Sequence, residues 1–388
     1  MTSKHRVLFV GTGGGNDVFS TTLAIDALWR SGWRWDECAI AGVLSPFHAH
    51  TATPCKAFRG VTKTGPADTR TLLRKGDART IGFVDAAVAK MVAEVGPYGC
   101  KNVYGLSLKL GTYGLAASFR ALATKYDDIV LVDLGGDIFY GGAADTHVLS
   151  PMFDAMVLHA FVMSDVQGCL FEAGPGTDGE LEPERIRQAL NRAKARAYPL
   201  EKETIDAWDA LYRRWIEPVR PGRTVPMTIA AYRHTEEFLT LPYRARAHIG
   251  GMKKYSLFDQ RISTALNRQY FLVDPYMIAN PFAVPCVDPY DWFIRTQIMQ
   301  QRTNCEANLE YYWNPAEREL AQFVTPSPLF PEKDRAEIID VALKEVRDGV
   351  ADIAWMFPAD LPLISEGLLS RFVVIGNDIG GCTVLSPK

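Results

Sequence analysis

His5-Arg6-Val7-Leu8-Phe9-Val10-Gly11-Thr12-Gly13-Gly14-Gly15-Asn16-Asp17 is the stretch whose reading decides the fold. A short apolar, β-branched run meets four glycines in five positions and then a helical pattern. The reading is a buried first strand, a tight loop and a helix N-terminus, the place where an α/β sheet holds an anionic ligand. Working outward, 38–44, 102–108, 129–132 and 169–172 read as further strands, with helices over 16–31, 83–95, 112–125 and 150–162 between them. Strands alternating with helices at this spacing predict an α/β fold built on a doubly wound, mainly parallel, Rossmann-like sheet. A helix opening on Pro183 follows, because proline is tolerated in a first turn. Beyond 195 the pattern is less regular. Helical segments at 201–216, 287–312 and 332–354 mix with apolar runs, and 372–385 reads as two short strands around Gly376-Asn377-Asp378. The expected organisation is a Rossmann-like ligand-binding core over 1–195 and a helical C-terminal half over 196–388, a helical or mixed extension packed on the core as one unit.

The composition is that of a soluble globular enzyme: 388 residues, 47% hydrophobic, 22% charged. A net charge of -3 gives no reason to expect nucleic acid or an anionic membrane as partner. The first 20 residues do not read as a signal peptide, since their apolar run is short and broken by glycines. No run approaches a membrane span. The seven cysteines are scattered, never in a CxxC pair, and read as reduced thiols of a cytoplasmic protein. The expected partner is a small molecule, and a homo-oligomer is left open.

Three glycine-rich loops follow strands, at 11–17, 133–142 and 173–180. In a parallel sheet such loops gather on one edge, where ligands bind. Each couples glycines to carboxylates. The first is no dinucleotide fingerprint: the third glycine of GxGxxG would fall on Asn16, and no acid ends the second strand. It is no Walker loop either, lacking the Lys-Ser/Thr pair. Asp17 suits a helix N-terminus, where the dipole stabilises a carboxylate by roughly 0.3–1 kcal/mol, so capping alone explains it. As a functional group it would repel a bare phosphate. A ligand there should bring a cation, a hydroxyl or an amine, while the amides of Gly13, Gly14, Gly15 and Asn16 hold its anionic part. Asp133 and Asp137 stand four apart across Gly135-Gly136, a pattern that suits Mg²⁺ or an ionised base beside a second acid. The bland alternative is a turn in which one aspartate caps the following backbone.

Asp178 and Glu180 lie in the turn before a helix, where capping accounts for one of them, and Gly174-Pro175-Gly176 shapes the wall beside them. Asp145 either caps the next helix or reaches the site. Lys109 and Thr112 sit at the end of the third strand, 102–108, and offer a charge and a hydroxyl, against the plainer reading of Lys109 as a solvated surface group. The basic stretch 56–79 reads as a long surface excursion, or else as a mobile cover. His48 and His50 stand two apart, which on a strand would put them on one face, but no third ligand is near in sequence. Neither GxSxG nor HExxH occurs.

The runs VLFVGTGGGNDV, LGTYGLAASFRALA, IVLVDLGGDIFYGG followed by LSPMFDAMVL, and FEAGPGTDGELEPERI resemble the DUF1152 proteins, in that order and at similar spacing. FLVDPYMIANPFAV, 271–284, is similar to a later segment of that family. These proteins are mostly prokaryotic and are named for a domain of unknown function. The resemblance implies a soluble α/β protein with a glycine-rich N-terminal site. By similarity the marked positions are Gly13, Gly14, Gly15, Asp17, then Asp133, Gly135, Gly136, Asp137, then Gly174, Gly176, Asp178 and Glu180. It carries no established reaction.

The leading expectation is an enzyme acting on a nucleotide-like or phosphorylated small molecule by hydrolysis or group transfer. Asp17, Asp133 and Asp137 would be its catalytic acids, with Mg²⁺ on Asp133 and Asp137. The rivals are a non-catalytic metabolite sensor or assembly subunit built on the same loops, and an atypical NAD(P)-dependent oxidoreductase.

Overall fold

The computed structural model describes residues 4–14, 16–44, 62–63, 70–73, 84–108, 111–141, 151–218, 224–249, 252–287, 291–292, 295–296, 310–314, 319–324, 332–348, 353–356, 358–379 and 382–388. The first strand, β1 (Arg6–Gly14), alternates its side chains between two cores. Val7 and Phe9 enter one, Leu8 and Val10 the other, and all four are fully buried. That period of two, apolar on both faces, is what a central parallel strand needs.

Around it stand β2 (Glu37–Leu44), β3 (Thr62–Lys63), β4 (Arg70–Leu73), β5 (Cys100–Ser107), β6 (Asp128–Leu134), β7 (Gly168–Ala173), β8 (Arg196–Pro199) and, much later, β11 (Gln269–Val273). The order across the sheet is β3-β4-β5-β2-β1-β6-β7-β11-β8. The five middle strands, β5 to β7, are mutually parallel, whereas β4 and β11 run antiparallel to their neighbours. The fold is therefore α/β with a mostly parallel sheet. Strand order reverses between β1 and β6, the switch point at which doubly wound sheets open a crevice.

Helices cover both faces. α1 (Asn16–Arg30) and α2 (Val84–Val95) share the core of Val7 and Phe9, while α3 (Gly111–Ala123) and α4 (Met152–Ser164) share that of Leu8 and Val10. α1 is buried from Asp17 to Leu28. It is buried because α6 (Lys202–Leu211) and α7 (Thr224–Arg233) close over its outer side, Phe19 stacking on Trp208 at 5.6 Å. α5 (Pro183–Arg192) does open on Pro183 and buries Ile186, Ala189 and Leu190.

The boundary expected at 195 does not coincide with the edge of the sheet, since β8 and β11 both belong to it. Between them lie the helices α6 and α7 and a long hairpin, β9 (Phe238–Ile249) with β10 (Met252–Ser263). The C-terminal part holds helix α8 (Glu332–Arg347) but also a second sheet, β12 (Glu310–Asn314), β13 (Glu319–Val324), β14 (Ile353–Met356), β15 (Phe372–Ile379) and β16 (Cys382–Pro387), ordered β12-β13-β14-β16-β15. The helix read over 332–354 ends at Arg347, and Ile353–Met356 pairs as a strand, because neighbours on both sides supply its ladder. The hairpin read around Gly376 turns later, between Ile379 and Cys382. Among the described residues no helix is long and apolar enough to cross a membrane.

Candidate functional site

The carboxyl ends of β1, β6 and β7 meet at the switch point, and the first turn of α4 joins them. Together they assemble seven carboxylates: Asp17, Asp133, Asp137, Asp154, Glu172, Asp178 and Glu180. Asp17 starts α1 and is 7% exposed. Its Oδ2 accepts the N–H of Gly13 at 2.7 Å, and the Leu134 N–H also bonds to this carboxylate. Asp17 thus ties the first glycine loop to the end of β6. One oxygen from each of Asp17, Asp133 and Asp154 lies within 4.8 Å of the others.

Asp133 and Glu172 are register partners on β6 and β7, and both are fully buried. Neither oxygen of either group receives an N–H or O–H from the described residues. They lie within hydrogen-bond reach of each other. Two carboxylates so close and so dry cannot both ionise at tolerable cost unless a compensating charge joins them.

Burial pushes Asp17, Asp133, Asp137 and Glu172 well above the usual carboxylate range, and neighbouring acids push them further. Asp154 is pushed up to about 7, first by burial, while the Thr12 hydroxyl and its own backbone N–H favour its ionised form. Asp178 opposes them by adding like charge. Buried Asp26 and Asp209 are matched by arginines, whereas the leading charge effects on Asp17, Asp133, Asp137 and Glu172 come from other acids.

The glycines explain how acids pack so closely. A Cβ on Gly13 would collide with the Asp17 carboxylate and press on Asp154 Oδ2 at 3.1 Å. Gly135 has φ +131°, and a Cβ there would meet Asp178 Oδ2 at 2.5 Å. The loops after β6 and β7 also bind each other, Gly176 N–H donating to Gly135 O and Gly135 N–H to Ala173 O. Gly136 and Gly174 complete these turns. Asp178 Oδ1 accepts the Glu180 N–H at 2.9 Å, the local turn that capping predicted.

Several expected roles change. Gly13 N–H is engaged by Asp17, so it does not offer itself to an anion. Gly14 pairs with Val43 in the β1–β2 ladder. Asn16 is half-buried at the start of α1. The Thr112 hydroxyl donates to Cys286 O at 3.1 Å and accepts Cys286 N–H at 2.9 Å, which makes it a brace between α3 and the later chain rather than a ligand group. The acids expected to share a cation, Asp133 and Asp137, are not the tight set. The Gly135-Gly136 turn carries Asp137 into a short helical turn, Asp137–Phe139, where it is only partly buried. Gly15, Lys109, Asp145, His48 and His50 lie outside the described residues, as does 56–79 apart from β3 and β4. An open cavity of about 640 Å³ lies at the opposite edge, at the amino ends of β6 and β7, lined by Trp33, Asp128, Asp165, Cys169, Asp274 and Tyr276. The acids are enclosed by comparison, and Asp137 and Asp178 are their partly exposed members.

Asp154 and Glu172 escape the loop-based reading because neither sits in a loop. The signal was present: each is the lone charge in an apolar run, Met152-Phe153-Asp154-Ala155-Met156-Val157 and Cys169-Leu170-Phe171-Glu172-Ala173.

The model of a family described as a protein of unknown function, DUF1152, matches residues 8–217. The chain belongs to the DUF1152 family. No curated protein and no solved structure matches it. The DUF1152 segment contains all seven carboxylates and every strand of the main sheet except β11, while the second sheet lies wholly beyond it.

Proposed function

We propose that this DUF1152 protein is an enzyme that hydrolyses, or transfers a group from, a nucleotide-like or phosphorylated small molecule. The observation that carries the reading is the convergence of acids from three strand-end loops at the switch point of the sheet. Asp137, partly exposed and with its pKa raised by burial and by Asp154, takes the proton of water or another nucleophile. The nucleophile's oxygen bonds to the electrophilic centre as the leaving group departs. Asp133 and Asp17, deeper, hold a cation or substrate hydroxyls; a bound Mg²⁺ would screen the substrate's negative charge from the acids. The scattered cysteines, never in a CxxC pair, support a cytoplasmic protein, and the partner in this reading is a small molecule.

A non-catalytic sensor is favoured by one observation: Asp17 and Asp178 both accept backbone N–H groups, as capping acids do. A thermal-shift screen of nucleotides, phosphorylated metabolites and NAD(P), with Mg²⁺ or EDTA, followed by product analysis, separates the readings. Expected is a cation-dependent shift with turnover, reduced about 100-fold or more by Asp137→Asn. A shift without product over long incubation overturns the enzyme in favour of the sensor.

A further inference from the structure

We infer that Asp17, Asp133 and Asp154 bind one hard divalent cation directly, before any substrate arrives. The site deepens the functional reading above but stands on its own geometry. Three carboxylate oxygens, one from each acid, lie within 4.8 Å of one another. Their side chains come from three separate elements, the start of α1, the end of β6 and the first turn of α4. The observation that points to a ligand is the state of Asp133. It is fully buried, and no described N–H or O–H donates to either of its oxygens. Asp154, 2% exposed, likewise has an Oδ1 without a donor. A buried carboxylate oxygen left in that condition is costly, most of all when charged. The chain spends two such groups in one place.

All the donors are oxygens, which selects a hard ion such as Mg²⁺, Mn²⁺ or Ca²⁺ over zinc or copper. Two oxygens on one ion can stand no farther apart than twice the metal–oxygen distance, about 4.8 Å for Ca²⁺. The three acids, all within 4.8 Å of one another, meet that condition. Asp17 is held for this duty by the N–H groups of Gly13 and Leu134, which fix its carboxylate without neutralising it. The missing Cβ of Gly13 leaves the space beside Asp17 and Asp154 clear.

The test is a Mn²⁺ titration of the full chain, freed of metal, with no substrate present, read by electron paramagnetic resonance and repeated with Ca²⁺ as competitor. Expected is one Mn²⁺ per chain, displaced by Ca²⁺. Asp154→Asn and Asp133→Asn should each weaken it by about 100-fold or more. Glu184→Gln, an exposed acid on α5, should leave it unchanged. Circular dichroism of each variant checks the fold. Should either variant fail to fold, the wild-type titration still decides: absence of bound Mn²⁺ at 1:1 stoichiometry overturns the site. A loss in Asp137→Asn as large as that in Asp154→Asn overturns the assignment of ligands. Binding without turnover of any phosphorylated compound would sink the enzyme reading and leave the cation site standing. EDTA-insensitive turnover by a chain that binds no Mn²⁺ would do the reverse.

Discussion

The two ends of α1 bury an aspartate each and treat them in opposite ways. Asp26, near the C-terminal end, is 8% exposed, and it receives Arg30 Nε at 2.7 Å, Thr204 Oγ1 at 2.5 Å and the Tyr98 hydroxyl. Asp17, at the N-terminal end, faces Asp154 and Asp178. A second satisfied acid, Asp209, sits between Arg213 and Arg233. Asp26 and Asp209 are surrounded by donors from the next helical turn and from distant segments. At the switch point the chain gathers more acids instead. The difference teaches that the acidic junction is not a failure to find donors in this fold, which supplies them about 14 Å along the same helix axis (nine residues at a rise of about 1.5 Å each). The cation inferred above would bring the compensating charge from outside the chain.

The largest expected effect sets the two ends against each other by sign. Asp26→Ala strands Arg30, Thr204 and Tyr98 and should lower stability by about 3 kcal/mol in urea unfolding. Asp133→Asn removes a buried like charge and supplies an N–H for Glu172, so without divalent ions it should raise stability by about 1–2 kcal/mol. Equal signs would erase the comparison.

The pH response sharpens it. An acid whose folded pKa is raised binds protons more tightly in the folded state, so its stabilising contribution is present at low pH and lost as pH rises from the ordinary carboxylate range through its folded value. Asp154, at about 7, with Asp133, Asp137 and Glu172 shifted the same way, should make the metal-free protein melt lower at pH 8 than at pH 5. Added Mn²⁺ should close that gap, and a flat profile in its absence would show that the acids are neutralised within the chain.

Next in size is Gly135→Ala, which meets both a left-handed backbone and the Asp178 carboxylate and should cost about 2 kcal/mol by calorimetry. The smallest effect belongs to the surface. Hydrogen bonds to Arg34 and Asp128 raise the His5 pKa, so that contribution is full below the unfolded value and fades as pH rises through the folded one. With 42% of the side chain exposed, His5→Gln should change stability by only a few tenths of a kcal/mol. Because this term also falls with pH, the variant isolates the acidic junction's share.

The parallel core was legible because its signals are local. β1, β6 and β7 announce themselves as apolar runs ending in glycines, and the loops then follow from the strand ends. Asp17, Asp133, Asp137, Asp178 and Glu180 were found that way. What stayed hidden depends on partners far along the chain. Nothing near Thr112 reveals that Cys286 will occupy its hydroxyl. Nothing in Gln269–Val273 shows that it will pair with β7 on one side and β8 on the other. Asp154 and Glu172 were readable as lone charges in apolar runs, but only a three-dimensional register brings Glu172 opposite Asp133.

The late arrival of β11 also bears on how this protein is made. During synthesis the outer edge of β7 has no mate until the ribosome has delivered about a hundred further residues, and β8 has nothing to pair with until the same moment. A fragment cut at the end of the DUF1152 segment would keep that edge permanently bare, an invitation to pair with another molecule. Truncations intended to isolate the ligand-binding part should therefore extend past Val273.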